Sequence, residues 1–454
     1  MKIYNYLISA LLVGSIAGFS SCKNEEEDIF DASAAQRLDE YKRQYSAELT
    51  ADGGKWLMEY FANEEEGGYA FVMTFNTDGS VRISGQNTWL GHSYKSEVSL
   101  WQIIADNGPV LSFNTYNNVF HIMSDPANIT GPDAPVNPDQ DNRDIDETGT
   151  GHGGDYEFVI IGLSEDGKTM HLSGKKRLHD IYMRRLEPSV DEIALLSSYE
   201  DAAQKTFSNL FPEMLLTDTQ SGEQFVFKGG VKGLFDAWPK DGDPVVQTVS
   251  MNALVGPDNI RFRVPFAIER ANPEDSIVVE NLVRQDDGTF LCTDNGKNLV
   301  LDNIGYGNIF TNDKFVWKTK SNTLRGGVFD AVYEKIKTET SKNLKKTFRG
   351  LEWKYVNAEK TFVLMFDMSG NAAVAYIYGK QEIIDNGNSV KFNISTTDGN
   401  TNGKKRLSQL PSLVEFIELL NSTTFVIESD RRFAPSTMKF IDANNPENYI
   451  IFAL

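Results

Sequence analysis

Short apolar runs with a period of two, separated by turn residues, dominate this chain. Tyr69, Phe71, Met73 and Phe75 fall on alternate positions, Asp78-Gly79 supplies a turn, and Val81 and Ile83 resume the alternation. In a strand, alternation sends every second side chain to one face, so these runs can bury a sheet face but not a helix stripe. Asp-Gly between two such runs favours a tight hairpin. Similar runs lie at 97–104, 110–116, 119–123, 156–163, 168–173 and 180–186, with Glu165-Asp166-Gly167 turning one pair. Many short strands at near-regular spacing predict a mainly β fold, α+β in class. The expected architecture is antiparallel meander units, each a small barrel or sandwich, with a few short helices.

Helical spacing is confined to a few places. Leu38, Tyr41, Tyr45 and Leu49 share one helical face, with Asp31 or Ser33 as cap and Gly53-Gly54 as stop. Residues 191–211 are helix-compatible up to Pro212, 329–348 reads as a helix, and 413–420 as a short amphipathic one. Between them lie mixed strands and loops at 224–227, 247–254, 260–265 and 289–301. A last β region starts near Trp353 and ends in a strand at 449–454. Residues 125–155 hold Pro126, Pro132, Pro135 and Pro138, many carboxylates and a glycine-rich end, without the apolar content to pack. Strand character resumes at once with Tyr156, so this segment reads as a mobile acidic loop inserted in a domain. The expected division is 1–21 leader, 22–32 tether, 33–187 N-terminal β domain, 188–349 middle α+β region and 350–454 C-terminal β domain.

One internal match points to two related β units. Residues 71–79 (FVMTFNTDG) align with 362–370 (FVLMFDMSG), and each follows a helix-like segment, a glycine and a tryptophan: Gly54 and Trp56, Gly350 and Trp353. The alternative is convergence, because such strands running into glycine turns are common.

The first 28 residues carry an address. Lys2 and the apolar stretch from Tyr6 to Phe19, too short to span a bilayer, have the form of a secretory leader. Ser20-Ser21-Cys22 then offers small residues before a thiol, which suits lipoprotein processing and acylation at Cys22. Two or three acyl chains anchor where one binds only reversibly. Lys23 and the carboxylates Glu25, Glu26, Glu27 and Asp28 follow; they are similar to the export signal that sends lipoproteins of Bacteroidetes to the outer leaflet of the outer membrane. The expected location is therefore the cell surface, with the membrane as partner through lipid.

Removing Lys2 from 44 basic residues leaves 43 against 64 acidic ones, a net charge of −21. That field repels phosphate backbones and argues against nucleic acid as a partner. With Cys22 lipidated, Cys292 has no partner within the chain, so burial alone must hold the core.

Trp56, the 69–79 hairpin, Phe120-His121-Ile122-Met123-Ser124-Asp125-Pro126, Gly154-Asp155-Tyr156-Glu157-Phe158 and Gly174-Lys175-Lys176 together resemble domain-of-unknown-function family 4302. Its members are Bacteroidetes lipoproteins without an established activity, so the resemblance supplies no catalytic residues. It implies a setting: such lipoproteins accompany TonB-dependent receptors and partner lipoproteins in nutrient uptake.

Motifs for specific chemistry are weak. Gly149, Gly151 and Gly154 match a dinucleotide fingerprint by letter, but a strand must precede and a helix follow, and neither is expected here. There is no G-x-S-x-G or H-E-x-x-H. Counted from Asp139, an EF-hand loop would place Gly at position 144 and Glu at 150, where Asp and Thr stand. His92, His121, His152, His171 and His179 lack ligand spacing, and no cofactor or metal is expected. Carboxylate pairs for glycoside hydrolysis are too numerous to single one out. The aromatics Trp89, Tyr94, Trp101, Tyr116 and Phe120 are more suggestive. Trp101 and Phe120 read as core, whereas Trp89 and Tyr94 on a loop, with His121, are candidates for a glycan, peptide or porphyrin ligand. The leading expectation is a non-enzymatic accessory binding module in nutrient uptake. A docking component of a receptor complex is the alternative, and a hydrolase of unrecognised type the third.

Overall fold

A computed structural model describes residues 34–106, 108–124, 152–320, 325–356, 361–370 and 374–454. The fold is mainly β, built from three consecutive antiparallel meander units. In the first, eight strands from Lys55–Tyr60 to Asp180–Arg185 pair in chain order. The last returns to the first with Trp56 opposite Arg185, closing a barrel. The alternation seen in the sequence fills its interior with Trp56, Met58 and Tyr60, then Phe71, Met73 and Phe75, all at most 1% exposed. The helix Ala34–Thr50 packs beside it, and the indole of Trp56 donates to Leu49 O at 3.0 Å.

Residues 119–123 do not form the expected strand. They turn as a short 3₁₀ helix, His121–Met123, because Asn117 Oδ1 accepts from Val119 N (3.0 Å) and Phe120 N (3.1 Å) and so takes up donors a ladder would need. The turn drives Phe120 edge-on against Tyr60, Phe71 and Phe113, each at 5.3 Å. Most of the 125–155 segment lies outside the described residues. Its end does not fit the expected mobile loop: His152 and Asp155 are buried, and Asp155 accepts from Lys176 N (3.1 Å) and Arg177 N (2.9 Å).

The stretch read as mixed strands and loops is a second closed barrel of eight strands, Glu213–Asp218 to Leu299–Asn303. Its core is phenylalanine-rich, with Phe225, Phe227, Phe235, Phe262, Phe266 and Phe290. The run at 289–301 is two strands, Phe290–Cys292 and Leu299–Asn303, around a turn at Asp294–Gly296. The preceding helix is Glu192–Lys205, capped by Asp191 Oδ1 on Ile193 N and Ala194 N.

The third unit contains strands from Val316–Lys320 to Tyr449–Ala453, with Lys318 opposite Ala453 joining its two ends. Val316–Lys320 pairs with Phe348–Val356, so by hydrogen bonding it belongs here, although composition had set it in a region ending at 349. The helix Gly327–Leu344 also packs here: Phe329 and Tyr333 meet Phe416 of the helix Pro411–Ser422. The helix ends at Leu344, four residues before the expected limit, and Lys345 after it has φ +55°.

The internal match has a structural counterpart. Trp56 lies opposite Met73 across the first hairpin, and Trp353 lies opposite Leu364 across the equivalent pair. Met73 and Leu364 occupy the same column of the aligned sequences, so the two units share a register.

Candidate functional site

The first two barrels meet backbone to backbone. Residues 63–68 leave the first barrel and lie along the second. Gly68 N donates to Ala253 O at 3.0 Å, and Asn252 Nδ2 donates to the carbonyls of Asn63 (3.0 Å) and Glu66 (2.7 Å). A Cβ on Gly67 would stand 2.1 Å from Lys232 O, and one on Gly233 2.0 Å from Ala253 O. Glycine is required at both.

The helix Glu192–Lys205 seals the junction. Leu196 and Tyr199 join Leu57, Val72 and Leu254 in an apolar cluster that spans helix and both barrels. Arg82 pairs with Glu192 at 2.6 Å, and His92 Nδ1 lies 2.5 Å from Glu200 Oε1. Burial pushes the Tyr199 hydroxyl up to about 12; Arg184, whose Nη2 donates to it at 2.9 Å, acts in the opposite direction.

Where loop, helix and second barrel meet is a cavity of about 210 Å³. Trp89, Tyr199, Leu234 and Leu254 supply apolar surface; Gln86, Asn87, Glu200 and Gln204 supply polar groups. Among the described residues, the charged ones on its wall are Glu65, Glu66 and Glu200 against Lys232. Trp89 is fixed from two sides. Its indole nitrogen donates to Tyr69 Oη at 2.7 Å and to Glu66 Oε2 at 3.2 Å, and its ring packs on His152 with centroids 4.0 Å apart.

Glu66 anchors this arrangement. Its Oε1 lies 2.7 Å from both His152 Nδ1 and Asn63 Nδ2, and Tyr69 donates to Oε2. Burial alone would raise the carboxyl, but the bonds from His152, Tyr69 and Asn63 outweigh it and hold Glu66 below the ordinary glutamate value. Tyr69 is pushed the other way, by burial first and by the Glu66 charge second. Asn87 Oδ1 accepts from Leu90 N at 3.1 Å, while its Nδ2 is buried with no hydrogen-bond partner among the described residues.

Of the ligand candidates read from sequence, Trp89 lines the cavity. Tyr94 is half-buried beside it, with its hydroxyl 2.6 Å from Glu192 Oε1 and 3.2 Å from Ser84 Oγ, and serves the barrel–helix junction. His121 is elsewhere: Asn117 N donates to its Nδ1 at 3.0 Å, and its ring lies between Tyr116 and Tyr156. Cys22, Lys23, Glu25, Glu26, Glu27 and Asp28 lie outside the described residues. Sequence reading missed Glu66, Asn87, Tyr199 and Glu200. The signal for Glu66 was present, since Asn63-Glu64-Glu65-Glu66-Gly67-Gly68 is a polar, glycine-ended break before a strongly alternating strand. No group of three or more potential metal ligands occurs among the described residues.

Residues 26–275 match the family model described as Domain of unknown function (DUF4302). The chain belongs to that family. The match contains the first barrel and every residue named on the cavity wall. None of the curated proteins matches the chain. Among solved structures, the Helicobacter pylori beta clamp in complex with diflunisal is 12% identical over 92% of this chain and 96% of that one, with a TM-score of 0.12. The same clamp bound to a DNA ligase peptide is 10% identical over 92% and 97%, with a TM-score of 0.11. Superpositions that poor carry no argument about this DUF4302 protein.

Proposed function

We propose that this DUF4302 protein is a lipid-anchored binding module on the outer face of an outer membrane, holding a small ligand between its first two barrels as part of nutrient uptake. The observation that carries the reading is the cavity itself. Its aromatic wall is held by Glu66, Tyr69 and His152, and its rim contains amide and carboxylate groups, which is how a pre-formed small-ligand site is built. The volume suits one or two rings, not a porphyrin. The placement rests on the sequence alone: a leader of spanning-incompatible length, Cys22 and the acidic run after it. Among the described residues no helix is long and apolar enough to cross a membrane, which fits attachment by lipid without requiring it.

Two measurements test the reading. A thermal-shift and tryptophan-fluorescence screen of small nutrients on the purified chain should find ligands whose effect is lost in Trp89→Ala. Protease treatment of intact cells should remove the protein, and Cys22→Ala should release it from membranes. A stable receptor complex with no ligand in the screen would favour the docking role instead.

Glu66 does not suit the acid role of a glycosidase, which must keep its proton near neutral pH, because this carboxyl is held ionised by its donors.

A further inference from the structure

We infer that the cavity takes a single sugar ring, neutral or bearing an amino group, and rejects acidic sugars. The inference rests on the cavity being the ligand site, and narrows what that ligand is. Size is the first constraint: about 210 Å³ is below the roughly 300–1,000 Å³ of sites for drug-sized molecules. One ring with its substituents fits; an extended peptide does not.

Surface chemistry is the second. A pyranose presents apolar C–H faces and a polar equator. The wall offers the matching pair: Trp89, Leu234 and Leu254 for the faces, amides and a carboxylate for the hydroxyls. Trp89 is held by hydrogen bonds at its nitrogen and by His152 against its ring, so little side-chain freedom remains to be lost on stacking. Asn87 contributes the most specific feature. Its Oδ1 is committed to Leu90 N, and its Nδ2, on a residue that lines the cavity, is buried without a partner among the described residues. A buried donor left unpaired is costly, and a ring or hydroxyl oxygen would satisfy it. Glu200 supplies the acceptor: Oε1 faces His92 and Gln204, while no donor among the described residues engages Oε2.

Charge is the third. Among the described residues Glu65, Glu66 and Glu200 outnumber Lys232 on the wall, so a carboxylate or phosphate on the ligand meets like charge at short range, whereas an ammonium meets opposite charge. A hydrophobic amine would also tolerate that field, but it would leave the Asn87 donor unpaired.

The test is calorimetric titration of the full chain with glucose, galactose, glucosamine and glucuronic acid, and with tryptamine and a neutral tripeptide as non-sugars. A neutral or amino hexose should bind and glucuronic acid should bind at least about tenfold more weakly. Asn87→Asp keeps the oxygen that caps Leu90 N but replaces the donor by an acceptor; measured below its own melting temperature, with Trp89 fluorescence reporting a folded chain, it should weaken hexose binding by about tenfold or more. Glu200→Gln should narrow the gap between glucose and glucuronic acid. Glucuronic acid binding as well as glucose would overturn the charge argument. A non-sugar binding in a Trp89-dependent manner while no hexose does would overturn the sugar assignment and leave the cavity as a ligand site. Failure of every compound, with no Trp89-dependent ligand in the wider screen, would overturn both.

Discussion

Glu59 of the first barrel contacts Arg261 of the second through a carboxylate with no exposure to solvent. Arg184, from the first barrel, reaches the same carboxylate with Nε at 3.1 Å, and Arg261 also lies over the Tyr182 ring at 4.8 Å. A buried carboxylate shared by two guanidinium groups is tolerable only while both remain. Arg261→Met should therefore cost about 3 kcal/mol in urea unfolding, because it strips Glu59 of one partner. The double variant Glu59→Gln, Arg261→Met should lose less than the two single changes added together. Strict additivity would mean that the contact contributes nothing specific to the joint.

The glycine seam gives a sharper contrast. Gly67→Ala and Gly233→Ala each force a methyl group onto a backbone oxygen, and backbone cannot swing aside as a side-chain tip does. Each should cost more than about 2 kcal/mol and abolish ligand binding by parting the barrels. Gly162→Ala is the control: nothing lies within 4 Å of its Cβ position and its φ is not positive. It should be neutral or stabilising by about 0.4–1 kcal/mol. Equal effects at all three sites would show that the close approach is not what selects glycine.

These two joints also explain what the sequence could and could not disclose. Alternation at Tyr69–Phe75 and Val81–Ile83, the Asp78-Gly79 turn and the equivalent Trp56 and Trp353 positions are local signals, and each found its element. The strand read at 119–123 failed because one side chain, Asn117, rewired three residues of backbone. The ends of Val316–Lys320 and of the second barrel were invisible for another reason: strand pairing over long sequence separation leaves no local mark. The cavity is the extreme case. Its residues come from five separated segments, and only Trp89 stood out, by type rather than by place. Glu66 was marked only by the polar, glycine-ended break at 63–68; Glu200 was one among 64 acidic residues, and nothing short of the fold distinguishes it.

The second and third units are joined by a plug. Phe433 leaves the third unit and enters the core of the second barrel, with its ring 5.2 Å from Phe207 and 5.8 Å from Phe290. Its neighbour Arg432 holds Asp302 through two bonds, at 2.6 and 2.5 Å. Phe433→Ala should remove about 3 kcal/mol from the second barrel, and because the plug also ties the units together, calorimetry should then resolve two unfolding transitions in place of one. A uniform drop in a single transition would mean that Arg432–Asp302 suffices to couple them.

The Glu66 network predicts a pH dependence with a definite sign. Its carboxyl is lowered in the folded protein relative to the free side chain, so the folded state favours the ionised form. That contribution is fully present above the unfolded value of about 4.3 and is lost as pH falls through the lower folded value. Glu66→Gln removes the titrating group, and its amide meets the donors of Tyr69 and Trp89 with a donor of its own. The variant should be less stable than the native chain at pH 5, and the margin should shrink below about pH 4. Trp89 fluorescence should follow the same profile, since Glu66 and Tyr69 hold the indole nitrogen. Urea midpoints at pH 5 and 3.5, below the range in which His152 beside it would titrate, decide the matter: a margin that grows between them would have the wrong sign for a lowered carboxyl, and one that stays constant would mean that Glu66 is held by shape and not by charge.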